Sequence, residues 1–199
     1  EHAEIVVLER SGYVSYANCG LPYYVGGVIQ NKKALTLQTP QSFKTRFNID
    51  VRVHSEAVAI DRVKKEVRVR ETESGREYTE RYDKLILSPG ARAVVPPVAG
   101  ADDPRVFTLR TVEDTFRIAA YIAEKGAGRA VVIGGGFVGL EMAENLTERG
   151  IGVTLCEGSP QVLPQTDADM ACFLHARLRA AGIDLRLNAK VLGFIEEGD

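Results

Sequence analysis

The chain has 199 residues, carries 25 Lys and Arg against 27 Asp and Glu for a net charge of −2, and is 45% apolar, 7% aromatic and 26% charged. This is the balance of an ordinary soluble globular protein and excludes disorder and collagen-like repeats. With both signs interspersed and no long run of like charge, neither nucleic acid nor an acidic membrane surface is expected as a partner.

Glu1-His2-Ala3-Glu4 is acidic where a signal peptide would be basic. It leads into Ile5-Val6-Val7-Leu8, a continuous apolar run closed by Glu9, the pattern of a strand buried on both faces of a parallel sheet. Residues 11–30 are rich in Gly, Tyr, Asn and Pro and read as a loop feeding a short helix that Asn18 could cap. Pro40-Gln41-Ser42-Phe43 opens a short segment ending near Phe47. From Asp50 the apolar period is two: Val51 and Val53, Val58 and Ile60, then Val67 and Val69. With Ser74-Gly75 as a turn and a return through Tyr78 and Tyr82, this predicts an antiparallel meander. Lys84-Leu85-Ile86-Leu87 reads as another buried strand, ended by Ser88-Pro89-Gly90-Ala91. The stretch from Val94 to Gly100 reads as a linker, which divides the chain into domains at 1–97 and 98–199.

Thr111 predicts an N-cap, with Glu113 and Asp114 in the first turn of a helix reaching about Lys125 and stopped by Gly126 and Gly128. A strand over 130–133, a glycine turn, a helix over 137–149 and a strand over 153–156 follow. A helix over about 167–181 and a strand over 184–187 complete a βαβαβ order, for which a parallel sheet is the natural outcome. The longest apolar runs, such as Ala130-Val131-Val132-Ile133, fall far below the roughly 18 residues of a membrane span. The chain begins inside a predicted strand and stops just after another, so a piece of a longer protein is expected.

Gly134-Gly135-Gly136-Phe137-Val138-Gly139 satisfies Gly-x-Gly-x-x-Gly, a weak pattern alone but a strong one between a strand and a helix. Glu157 ends the next strand 23 residues after Gly134, near the distance a ribose contact requires. Gly134 permits the tight turn, Gly136 lets backbone approach a pyrophosphate, and Gly139 allows close helix packing. The amides of Phe137 and Val138 open the helix at its positive dipole end. Glu157 would accept from the ribose hydroxyls and repel a 2′-phosphate, which favours NADH over NADPH.

Cys19, Cys156 and Cys172 are too few for a disulfide scaffold and form no metal-ligand spacing, so no metal is expected and a reducing cytoplasm is the expected setting. Cys156 and Cys172 read as packing residues on a strand and a helix. His2, His54 and His175 are scattered and converge on nothing visible in the sequence. Tyr23 and Tyr24 fit either a ligand contact or core filling. Cys19 in isolation fits either a small buried hydrophobe or a reactive thiol lowered in pKa at a helix start. Position 24 is tyrosine, so no local disulfide partner exists, and a reactive Cys19 would cycle through a mixed disulfide or a sulfenic acid.

The segment Ser15-Tyr16-Ala17-Asn18-Cys19-Gly20-Leu21-Pro22-Tyr23 resembles the single-cysteine branch of the FAD-dependent pyridine nucleotide-disulfide oxidoreductases. Within that branch it is most similar to the coenzyme A-disulfide reductases and the NADH-dependent persulfide reductases. The likeness extends through 5–9, Leu37-Gln38-Thr39-Pro40-Gln41-Ser42-Phe43, 82–91 and 134–144. It implies two Rossmann-like three-layer α/β domains, both incomplete: a FAD-binding one, with the meander inserted, and an NAD-binding one. By the same resemblance Glu9 would bind the FAD ribose, Val58 would meet adenine through its backbone, and Gly90 would lie at the flavin-domain exit. Cys19 would sit beside the flavin, Glu141 near the nicotinamide, and Ser15 and Asn18 along the pantetheine path. The implied activity passes electrons from NADH through FAD to a coenzyme A disulfide or persulfide at Cys19, in a homodimer. An NADH oxidase or peroxidase working through a sulfenic acid, and a non-catalytic nucleotide-binding fragment, are the alternatives. The family's first strand and first phosphate loop, second flavin segment and dimerisation domain have no counterpart here, so an internal fragment is expected.

Overall fold

In the computed structural model, which describes residues 3–196 and so leaves Glu1 and His2 outside, the elements run β1 (Val6–Leu8), β2 (Ser15–Tyr16), α1 (Leu21–Gly26), α2 (Lys32–Leu35), β3 (Thr36–Gln38), α3 (Pro40–Phe47) and β4 (Asp50–Arg52). The meander follows as β5 (Ser55–Asp61), β6 (Glu66–Glu71) and β7 (Glu77–Arg81). Then come α4 (Val112–Lys125), β8 (Arg129–Ile133), α5 (Phe137–Glu148), β9 (Gly152–Cys156), α6 (Ala168–Ala180) and β10 (Asp184–Arg186). Contacts gather these into two units, Glu1–Ala17 with Thr36–Gly90, and Asn18–Leu35 with Ala91–Asp199.

In the first unit β1 pairs in parallel with β4, Val7 opposite Val51, and β2 pairs antiparallel with β3. Between them α3 starts on a capping box: the Thr39 hydroxyl accepts the Ser42 amide (3.2 Å) and Ser42 Oγ accepts the Thr39 amide (2.9 Å). The meander β5-β6-β7 is antiparallel, with Val67 and Val69 on its buried face. Three expectations are corrected here. Val51 belongs to the parallel pair rather than the meander, and Val53 lies outside any strand. β1 is only half-buried, because its sheet has two strands and cannot cover both faces. Residues 84–87 form no strand: Leu85, Ile86 and Leu87 are exposed, since no described strand runs alongside to take up their backbone donors and acceptors.

The second unit is built on a parallel sheet of order β10-β9-β8, with Val131 opposite Thr154 and Leu155 opposite Leu185. Helix α5 connects β8 to β9 and α6 connects β9 to β10, the Rossmann-like arrangement that strictly alternating strand and helix periods require. Its core gathers Ile118 of α4, Met142, Ala143 and Leu146 of α5, and Val153 and Leu155 of β9. Full burial of a side chain such as Leu155 stabilises by about 1.5–3 kcal/mol. Thr111 caps α4 in a second capping box with Asp114, and Gly126 in the left-handed region (φ 61) ends it. Among the described residues, no helix is long and apolar enough to cross a membrane.

Helix α1 belongs to this second unit. Val25 is fully buried in the same core, and the Arg149 guanidinium donates to the Val25 carbonyl at 2.6 Å. Tyr24 stacks edge-on against Phe116 of α4, ring centroids 5.2 Å apart, so here the tyrosine fills a packing position. Where α1 meets α5, a Cβ on Gly26 would lie 2.5 Å from Asn145 Oδ1 and 2.7 Å from Asn145 Cβ. The packing role expected of Cys156 and Cys172 needs correction: Cys156 is only half-buried, and Cys172 is exposed because it falls on the solvent side of α6, next to buried Ala171.

Candidate functional site

At the end of β8, Gly134 turns at φ 100 and donates its amide to the Cys156 carbonyl (2.8 Å), a conformation that favours glycine. Gly136 is the N-cap of α5, and the helical ladder begins with the Leu140 amide donating to Gly136 O (2.9 Å). The amides of Phe137, Val138 and Gly139 therefore precede the first intrahelical bond. Phe137 and Val138 are exposed, and a Cβ on Gly136 would meet nothing within 4 Å. A Cβ on Gly139, by contrast, would run into the Gly134 carbonyl, so the helix start lies directly against the turn. The result is an open, amide-lined approach at a helix N-terminus, which suits an anionic group.

Glu157 follows β9 and sits against this turn. Its Oε2 accepts the Gly135 amide at 2.6 Å and its Oε1 accepts the Ser159 amide at 2.7 Å. Burial pushes its pKa up, but bonds from the Gly135, Ser159 and Gly158 backbone outweigh this and hold the carboxyl below its ordinary value. The following loop, 158–166, contains no Lys or Arg. Basic residues further on lie on other elements, Arg177 and Arg179 on α6 and Arg186 on β10, the last paired with Asp184 at 2.9 Å.

Cys19 lies in a 3-10 turn, Asn18–Gly20, immediately ahead of α1. Asn18 and Cys19 are exposed while Gly20, Leu21 and Pro22 behind them are buried. Asn18 does not cap the helix: the N-cap is Gly20, without a side-chain bond, because Asn18 is taken into the 3-10 turn two residues earlier. Instead Asn18 Oδ1 accepts from the Arg110 guanidinium at 3.2 Å. The Arg110 amide is itself bound by Asp114 Oδ2 (3.1 Å), so the cap of α4 steadies the cysteine turn. Nothing in the sequence signals Arg110, which lies 92 positions from its partner. Glu141 is half-buried in the second turn of α5, where its carbonyl accepts from Asn145 Nδ2 (2.8 Å).

The remaining predicted residues lie in the first unit. Glu9 follows β1, its amide donating to Arg52 O (3.0 Å), its carbonyl accepting from the Ser55 amide (2.9 Å), and its Oε1 accepting from the Ser11 amide (2.6 Å). The device repeats that at Glu157: a strand-end carboxylate fixed by the amide two residues on. On β5, Ala57 faces Val69 and Ala59 faces Arg68, so the register slips at Val58 and leaves it unopposed, a bulge that releases its backbone from the ladder. Ser15 is half-buried in β2 opposite Gln38, and Gly90 is exposed at φ 71. Among the described residues no cluster of three metal-ligating side chains occurs.

A family model described as pyridine nucleotide-disulphide oxidoreductase matches residues 1–199. The chain is 37% identical over 190 residues to a coenzyme A disulfide reductase of Staphylococcus haemolyticus, covering 96% of this chain and 42% of that protein. It is 36% identical over 186 residues to an NADH oxidase of Methanocaldococcus jannaschii, covering 93% and 41%. Among solved structures it is similar to the reduced CoADR-RHD of Bacillus anthracis, with a TM-score of 0.93 and 47% identity over 96% of this chain and 34% of that one. The chain spans about two fifths of the length of these curated relatives. The glycine turn, the strand-end carboxylates and the family match converge: the chain belongs to the pyridine nucleotide-disulphide oxidoreductases.

Proposed function

We propose that the protein containing this chain passes electrons from NADH through FAD to a small-molecule disulfide or persulfide, a coenzyme A disulfide foremost, at Cys19. The observation that carries this reading is the exposed Cys19, the family's single-cysteine position, on a turn whose other side is buried core. The other cysteines, Cys156 and Cys172, are free thiols on β9 and α6, and in this reading the disulfide partner comes from the substrate. The Cys19 thiolate attacks one sulfur, the substrate S–S bond breaks, one half leaves as a thiolate that takes up a proton, and the other stays as a mixed disulfide. When bound, NADH and FAD supply the electron pair that returns the mixed disulfide to thiol and thiolate.

The chain's own residues bind and orient. Gly134 shapes the turn, Gly136 and the amides of Phe137 and Val138 meet the NADH pyrophosphate, and Gly139 keeps α5 close. Glu157 takes the ribose hydroxyls and disfavours NADPH, and Glu141 approaches the nicotinamide. In the portion 1–97, read as the FAD-binding domain, Glu9 takes the flavin nucleotide's ribose and the bulged backbone of Val58 meets adenine, with Gly90 at the exit. Ser15 and Asn18 line the pantetheine path, and 98–199 is the NAD-binding domain. A cytoplasmic homodimer is the form proposed for the whole protein. The relative called an NADH oxidase supports a second reading, in which Cys19 cycles through a sulfenic acid.

The test is an intact mass of the reduced chain after exposure to coenzyme A disulfide. An increment of one coenzyme A on Cys19, removed by a thiol reductant and absent in Cys19→Ser, is the expected result. An oxygen increment on Cys19 instead selects the oxidase reading, and an adduct that persists in Cys19→Ser overturns the assignment.

A further inference from the structure

His175, on α6, turns back onto the loop between β9 and α6. Its Nε2 accepts the Val162 amide at 3.2 Å, which requires a neutral ring with its proton on Nδ1. Val162 is fully buried, and its Cγ1 lies where it would be 2.8 Å from a Cβ on Gly135. The next residue, Leu163, is held at φ 45, a region unfavourable for a leucine, and its amide donates to the Gly135 carbonyl at 2.9 Å. The Gly135 amide in turn donates to Glu157. The amide of Gly135 is thus fixed by Glu157 and its carbonyl by a strained loop that His175 fastens.

We infer that His175 is a positioning residue for the dinucleotide site, a neutral imidazole latch that holds the 158–166 loop and through it the Gly135 peptide and the Glu157 carboxylate. The inference rests on the nucleotide reading above. Protonation removes the Nε2 lone pair and sets an N–H against the Val162 N–H, so the latch opens. The charged group acting on the ring is Arg179, one turn along α6, while the loop segment 160–166 packed against it carries no charge. Burial first, and Arg179 second, hold the ring below the ordinary histidine value. The folded state therefore binds this proton less readily than the unfolded one. The latch's contribution to stability is complete above about pH 6.5, the ordinary histidine value, and is lost as pH falls from there through the lowered value of the folded ring, where the latch itself opens.

The test uses the full chain and two readouts between pH 7.5 and 5.5: the amide resonance of Val162 with the ring titration of His175 by NMR, and NADH affinity by calorimetry. In the wild type the Val162 amide is expected to shift with the ring, and NADH affinity to fall about fivefold on acidification, the effect of one ordinary hydrogen bond lost. His175→Ala should bind NADH more weakly than the wild type at pH 7.5 and converge with it on acidification. His175→Gln, whose Oε1 takes the place of Nε2 as acceptor but does not titrate, should rescue affinity and flatten the profile. A Val162 amide that ignores the ring titration, or a His175→Gln chain that keeps the wild-type pH profile, overturns the inference. If Val162 follows the ring but the chain binds no NADH at any pH, the nucleotide reading fails and the positioning role falls with it.

Discussion

Replacing Gly26 by alanine sets two effects of opposite sign against each other. Gly26 is the last residue of α1 and its backbone is not in the left-handed region, so helix propensity alone favours alanine by up to about 1 kcal/mol. The new Cβ, however, would stand 2.5, 2.7 and 3.0 Å from Oδ1, Cβ and Cγ of Asn145, a side chain 1% exposed in the middle of α5. Overpacking of this kind costs about 1–3 kcal/mol, so a net loss of about 1–2 kcal/mol is expected. Asn145→Ala clears two of the three atoms but leaves its Cβ at 2.7 Å, so that α1 or α5 must still shift and only part of the clash is relieved. It also removes Asn145 Oδ1, which is buried without a hydrogen-bond partner in the structure, at the expense of the Nδ2 bond to Glu141 O. These two terms are each of order 1 kcal/mol and nearly cancel. The double variant should therefore be more stable than the sum of the single ones, by up to about 1 kcal/mol. Amide hydrogen exchange in α5 reads the second unit by itself and supplies the four stabilities of the cycle. Additive effects, or a Gly26→Ala chain more stable than wild type, would refute the view that this glycine sets the spacing of α1 and α5.

Gly136→Ala should separate fold from binding. Its φ of −78° suits alanine and its Cβ meets nothing, so stability should hold or rise by up to about 1 kcal/mol. NADH affinity should fall at least tenfold, because the methyl fills the approach to the α5 amides; unchanged affinity on calorimetry would move the pyrophosphate elsewhere. Glu157→Gln keeps volume and an acceptor but loses the charge, so the NADPH-to-NADH affinity ratio should rise; a ratio that stays at the wild-type value rejects the repulsion argument. Because the Glu157 pKa is depressed in the folded chain, its stabilising contribution is full above the ordinary glutamate value and disappears as pH falls through the lowered one. The acid limb of the wild-type unfolding profile should accordingly flatten in Glu157→Gln.

What the sequence made legible was local. The glycine turn, the Thr111 cap and the strand and helix periods from 130 to 186 each act over a few residues, and the structure keeps them to within one or two positions. What it hid was decided by distant neighbours. The 84–87 run has the composition of a buried strand, but a strand exists only where a second one takes its hydrogen bonds. Asn18 has the chemistry of a cap, yet Arg110, 92 positions away, claims its oxygen. His175 appeared isolated because its partner is a backbone amide, which no residue identity reveals. The slip at Val58 is likewise a property of a pair of strands, not of the alternation along one.

The embedding of α1 in the second unit also bears on how the chain is made. Val25 is synthesised early, but the α5 residues that pack with it, and Arg149, which bonds to it across 124 positions, come much later. At about 5–20 residues per second that is an interval on the order of ten seconds. Throughout it the apolar segment that carries Val25 waits on the ribosome without its partners. The cost of sharing one core between α1 and α5 is thus a window in which the nascent chain exposes apolar surface that only later residues cover.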